Sequence, residues 1–147
     1  MPGAVPIRSK HEETDVTEAE PTAAPMPTGD EVVELSRQAH QLALPMFVMS
    51  SFPTDAGMAG VLEALQAHGE YWAKLEEEGV LFAGGPMLSG LGSDPWSARA
   101  MFIFRAQSLA AAQAIAEADP VHASGARQYE LRPWLLNHLV VPVGAKS

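Results

Sequence analysis

The chain has no cysteine among its 147 residues. That excludes a disulfide framework, thiolate-held zinc, iron–sulfur ligation and a thiolate nucleophile. Cations are also scarce: 9 Lys and Arg stand against 18 Asp and Glu, for a formal charge of −9. Phosphate-backbone binding needs clustered Lys and Arg, so no nucleic-acid partner is expected. No apolar run approaches the roughly 18 residues of a membrane span, and nothing ahead of Pro45 has the apolar core of a secretory signal. A cytoplasmic protein with no membrane partner is the expectation. Apolar residues make up 47% of the chain, which suffices for one domain with a core that needs no metal or disulfide.

Residues 1–28 hold five of the 12 prolines and five acids against Arg8 and Lys10, with no apolar periodicity. Such a stretch cannot bury enough surface to offset its chain entropy, so a disordered acidic tail is expected there. Thr28-Gly29-Asp30-Glu31 has the form of a capping box. Val32, Leu35, Ala39 and Leu42 then follow on one helical face, which predicts an amphipathic helix within 29–44 that stops before Pro45. The main domain is expected over 45–138, with a C-terminal tail over 139–147.

Within that domain the pattern alternates. Met46–Phe52 is a short apolar run between Pro45 and Pro53, which suits a buried strand. Met58–Glu78 is rich in Ala, Leu, Glu and Gln and predicts a long helix, with Gly79 at its C′ position. Val80–Gly84 reads as a second strand and 87–98 as a loop. Arg99–Ala106 reads as a third strand, and Leu109–Ala118 as a helix capped by Ser108 and stopped by Asp119-Pro120. Arg127–Trp134 alternates wet and dry positions, and Pro133 places that strand at an edge. The order β-α-β, loop, β-α-β predicts an α+β, ferredoxin-like βαββαβ sandwich: a four-stranded antiparallel sheet with two helices on one face. Strands one and three look apolar on both faces, so a second copy is expected to cover the open face, giving a homodimer.

Two polar residues fall on inward faces. Val61, Leu65, His68, Trp72 and Leu75 form one stripe of the long helix. Leu109, Ala112, Ile115 and Asp119 lie close to one face of the shorter helix. A lone histidine in such a stripe is commonly a hydrogen-bonded core residue, and Asp before proline is a common turn former. If both helices cover the same sheet face, however, Asp119 and His68 converge. A carboxylate beside an imidazole fixes its tautomer and stabilises its protonated form, leaving the other nitrogen to exchange a proton with a substrate. His122, two residues after Pro120, falls at the mouth of such a pocket or in solvent. Phe47, Phe82, Trp72 and Phe102 are candidate pocket walls. No HxH or HxxxH spacing and no G-x-S-x-G elbow occurs, so neither a metal site nor a serine nucleophile is indicated.

The segments AHGEYWAKLEEEGVLFAGGP (67–86), SLAAAQAIAEADPVHASG (108–125) and YELRPW (129–134) together resemble the YCII-related, or YciI-like, family. The resemblance spans about 46–137. It implies a dimeric α/β barrel and a catalytic pair at His68 and Asp119. Gly85-Pro86 corresponds to the family's strand end and implies a pocket-shaping role there; Trp72, Pro120 and His122 are expected beside it as substrate-binding positions. It also implies proton transfer without a cofactor, of the dehydrochlorinase or isomerase type, on a small cyclic or aromatic substrate. The alternative is a non-catalytic module of the same fold that binds a small molecule or regulates.

Overall fold

The structure, a computed structural model, describes residues 23–140. Residues 1–22 of the expected N-terminal tail and 141–147 of the expected C-terminal tail lie outside the described residues. The elements run α1 (Gly29–Gln38), β1 (Leu44–Pro53), α2 (Gly57–Glu77), β2 (Leu81–Met87), β3 (Arg99–Phe104), α3 (Leu109–Ala118), α4 (Pro120–Ala123) and β4 (Arg127–Leu136). The strands form one antiparallel sheet in the order β2-β3-β1-β4.

Two parts of the expected architecture are corrected. Four helices accompany the sheet among the described residues, where the sandwich was expected to have two beside the separate helix within 29–44. The sheet is open, with β2 and β4 as its edges, and does not by itself form a closed barrel. Four strands are too few to close on themselves, since a filled barrel takes about eight. The two helices outside the sandwich, α1 and α4, have local causes. At α1, the Thr28 N–H donates to the Glu31 carboxylate at 2.7 Å and the Glu31 N–H donates to the Thr28 hydroxyl at 3.3 Å. That reciprocal cap starts a helix outside the strand–helix repeats. At α4, Asp119-Pro120 does not simply stop α3. Asp119 caps a new turn and Pro120 occupies its first position, where a missing N–H costs nothing.

Helix α1 ends at Gln38, well before Pro45, because His40 and Ala43 take left-handed φ values of 55° and 48°. It shares a hollow with Pro45, Met46, Pro133 and Trp134 at one end of the sheet. Helix α2 ends where expected, with Gly79 at φ 72° just beyond the cap. Pro133 lies in edge strand β4, where no neighbour needs a donor.

Registry decides which side chains meet. Phe47 pairs with Phe104, Met49 with Phe102 and Ser51 with Ala100, so these six share one face. Trp72 and Leu75 of α2, and Ala112 and Ala116 of α3, complete the core on that face. The two alanines are fully buried and let α3 lie close to the sheet. Burying side chains as large as Phe104 or Met49 stabilises the fold by about 2 kcal/mol each. No helix among the described residues is long and apolar enough to cross a membrane.

Candidate active site

The helical period places Leu65, His68 and Trp72 on the side of α2 that faces the sheet. Asp119 reaches the same place from the corner between α3 and α4, being the last cap of one and the first cap of the other. Its extended backbone (φ −61°, ψ 123°) breaks the helical path, and its side chain turns inward and is completely buried. His68 Nδ1 lies 2.8 and 2.9 Å from the two Asp119 oxygens. Trp72 Nε1–H donates to Asp119 Oδ2 at 2.6 Å, and the Val121 N–H donates to Oδ1 at 3.1 Å.

Burial works to raise the Asp119 pKa, but the hydrogen bonds from His68 and Trp72, the His68 charge and the Val121 N–H outweigh it and hold the carboxyl below the usual carboxylate value. Asp119 is therefore an acceptor at neutral pH, which assigns the Nδ1 proton of His68 to the shared bond. His68 Nε2 has no hydrogen-bond partner among the described residues. The His68 side chain is 22% exposed, and its ring meets the edge of Phe102 with centroids 5.9 Å apart.

His68 borders a cleft of about 230 Å³, with Leu65, Gly85, Pro86, Trp96 and Phe102 among its walls. Trp96 closes one side because its Nε1–H donates to the carbonyls of Met87 (3.0 Å) and Arg99 (3.1 Å). Larger hollows elsewhere, such as the one between Phe52 and Gln128, contain neither His68 nor Asp119.

The structure brings His68, Asp119, Gly85, Pro86 and Phe102 together and separates the remaining expected residues from the cleft surface. Trp72 lies beneath it, stacked on Phe102 with centroids 4.4 Å apart. Pro120 belongs to the α4 corner and does not line the cleft. Phe47 is in the core, and Phe82 sits at the bulge in β2. The His122 side chain is neither in solvent nor at a mouth: it is 3% exposed, behind Ser51. Its Nδ1–H donates to the Ala116 carbonyl at 2.8 Å, and its Nε2 lies 2.9 Å from the Ser51 hydroxyl. Burial pushes the His122 pKa down, against the Ala116 hydrogen bond and the Asp119 charge, which raise it. The ring is thus neutral, and its Nε2 accepts from Ser51.

Ser51 and Arg127 also reach the cleft, and neither was among the expected site residues. Ser51 Oγ accepts from Arg127 Nε at 2.8 Å, and Arg127 Nη2 donates to the Ser51 carbonyl at 3.0 Å and to the Ala98 carbonyl. Burial lowers the Arg127 pKa, against the Asp119 charge. The alternation of β1 carried a signal for Ser51, which follows Phe47 and Met49 on the inward face. Arg127 opens β4 two residues before inward Tyr129. For Trp96, inside an irregular loop, the sequence held no comparable sign. Among the described residues no group of three or more His, Asp or Glu side chains is placed to hold a metal ion.

An antiparallel sheet backed by helices, with a buried carboxylate gripping a half-open histidine at a small cleft, defines an α+β domain with a His–Asp site. Residues 46–135 match the YCII-related domain, and the chain belongs to that family. Among solved structures it is similar to 5-chloro-2-hydroxyhydroquinone dehydrochlorinase from Burkholderia phenoliruptrix AC1100, in complex with 2,5-dihydroxybenzoquinone. The two superpose with a TM-score of 0.52 and 22% identity, over 60% of this chain and 92% of that one. A likeness at that identity speaks for the fold alone. No curated protein matches the chain.

Proposed function

We propose that the chain is an enzyme that moves a proton on a small ring-bearing substrate, in a lyase- or isomerase-type step that needs no cofactor. The observation that carries this reading is the His68–Asp119 contact at the cleft, with Nδ1 held by a buried carboxylate and Nε2 left unpartnered. Substrate C–H gives its proton to Nε2, and the electron pair of that bond forms a new double bond. In a lyase the leaving group departs with its own pair; in an isomerase the proton returns at another carbon. Asp119 positions the ring and stabilises the imidazolium. The cleft of about 230 Å³ suits one substituted ring, since a cavity of about 150 Å³ accepts benzene. The similar dehydrochlorinase, whose complex holds a dihydroxylated ring compound, agrees with that substrate size.

The test is incubation of the full chain in D2O with a panel of hydroxylated and chlorinated single-ring compounds, followed by NMR for ring deuteration and by chloride release. Wild type is expected to turn over at least one compound, and His68→Ala to lose about 10²-fold or more. Turnover that survives His68→Ala rejects the proposal.

A second reading, a binding module, is favoured by the number of donors Asp119 satisfies: His68, Trp72 and Val121 all bond to it. In that case ring compounds bind and leave unchanged, and the main effect of Asp119 variants is on stability.

A further inference from the structure

Arg127 is only 6% exposed, yet no carboxylate lies within salt-bridge distance of it among the described residues. Buried charges are ordinarily paired, because an uncompensated one is costly to desolvate. Three of its five donors are used, Nε–H by Ser51 Oγ and two Nη2 protons by the carbonyls of Ser51 and Ala98. The two Nη1 protons have no partner among the described residues. Nor is Nη1 sealed in: Asn137 Oδ1 is the one fully enclosed side-chain nitrogen or oxygen lacking a partner among them.

The anchoring is built in. Ser51 is held by His122, which is held in turn by the Ala116 carbonyl. Ala98 adopts a left-handed φ of 58°, a conformation that costs a non-glycine residue energy, and its carbonyl accepts from the guanidinium. Arg127 and His68 line the same cleft, whose other walls include Val61, Leu65, Pro86 and Phe102.

We propose that Arg127 forms an oxyanion subsite, so that the cleft takes a single-ring compound bearing a carboxylate or an ionised hydroxyl, with that oxygen on Nη1 and the ring against the apolar walls. This substrate class rests on the proton-transfer reading only for the role of His68; the anion site itself needs Arg127 alone. Ser51 and His122 are positioning residues that fix the guanidinium.

The experiment titrates the full chain with benzoate and with its neutral counterpart benzamide, following the Arg127 Nε–H resonance by NMR. Benzoate is expected to move that resonance and to bind at least about tenfold tighter than benzamide. Arg127→Met should erase the preference, Arg127→Lys should retain part of it, and His68→Ala should keep it whole. Should Arg127→Met fail to fold, the wild-type resonance and Arg127→Lys decide. Equal binding of the two probes, a preference that survives Arg127→Met, or an unmoved Nε–H each overturns the subsite. Turnover of neutral rings that depends on His68, without a benzoate preference, removes the subsite and keeps the proton-transfer reading. A benzoate preference with turnover that ignores His68 does the reverse.

Discussion

Trp72 Nε1 and His68 Nδ1, one helical turn apart on α2, converge on the same buried carboxylate of Asp119, at 2.6 and 2.8 Å. One carboxylate thus holds a candidate proton carrier and a core aromatic in a single network. The arrangement makes the pair a piece of the core as much as a site.

Asp119→Asn is expected to be strongly destabilising. Donors from His68, Trp72 and Val121 face the carboxylate, so an amide must set its own donor against one of them. The expected cost is about 2–3 kcal/mol, or roughly 10–20 °C in melting temperature for a domain of this size. The folded-state pKa of Asp119 is lowered. Its stabilisation is therefore complete above the unfolded-state value of about 3.9 and is lost as pH falls through the lower folded value. Melting curves of wild type and Asp119→Asn, taken between neutral and strongly acidic pH, should converge at the acid end.

Trp72→Phe keeps the stack on Phe102 and deletes one donor to Asp119. With that donor gone the carboxyl pKa should rise above its wild-type value, as read from the Asp119 side-chain carbon by NMR. The expected loss of stability is about 1–3 kcal/mol, the range for a hydrogen bond to a charged group.

His122 gives a separate signature. Its folded pKa is depressed, with burial the leading cause, so the unfolded chain binds a proton first as pH falls. The stabilisation from the neutral ring is full above about pH 6.5 and is lost as pH falls through the folded value. In a titration of ring Hε1 signals from pH 8 downward, His122 should protonate at lower pH than free histidine. Protonation should break its acceptance from Ser51 and shift the Arg127 Nε–H resonance in the same step.

Gly84→Ala should disturb the cleft from below. A Cβ at Gly84 would stand 2.5 Å from Phe102 Cδ1, so the ring that floors the cleft must move. The expected cost is about 1–3 kcal/mol, with shifted Trp72 and His68 ring resonances. Gly69→Ala is the contrast: a Cβ there meets nothing within 4 Å, and alanine in an exposed helix position should stabilise by about 0.5–1 kcal/mol. Thermal melts of both variants check the pair.

The stripe Val61-Leu65-His68-Trp72-Leu75 was legible because a 3.6-residue period survives in sequence, and it placed His68 against the sheet. Asp119 was legible only in part. Its companions proved to be Ala112 and Ala116, while Leu109 of the expected face is exposed. Helix α4 escaped because Asp-Pro is a stop signal for the helix before it and a start signal for the helix after it, and four residues are too few to show a period. The pairing of Arg127 with Ser51 escaped for a different reason. Their meeting depends on a hydrogen bond across 76 positions of sequence, and no local pattern encodes a long-range partner.

Asp119 ends one helix, begins the next and bonds the histidine. Structural duty and the proposed chemistry therefore cannot be selected apart at this position. A descendant that abandoned the proposed reaction would still be held to aspartate by the corner it ties, and through aspartate to a histidine or another donor at position 68. The pair would then outlive its chemistry. Within such a lineage the Arg127 anchor, which caps no helix, is the part freer to drift, and its loss would mark where the proposed site had become a scaffold.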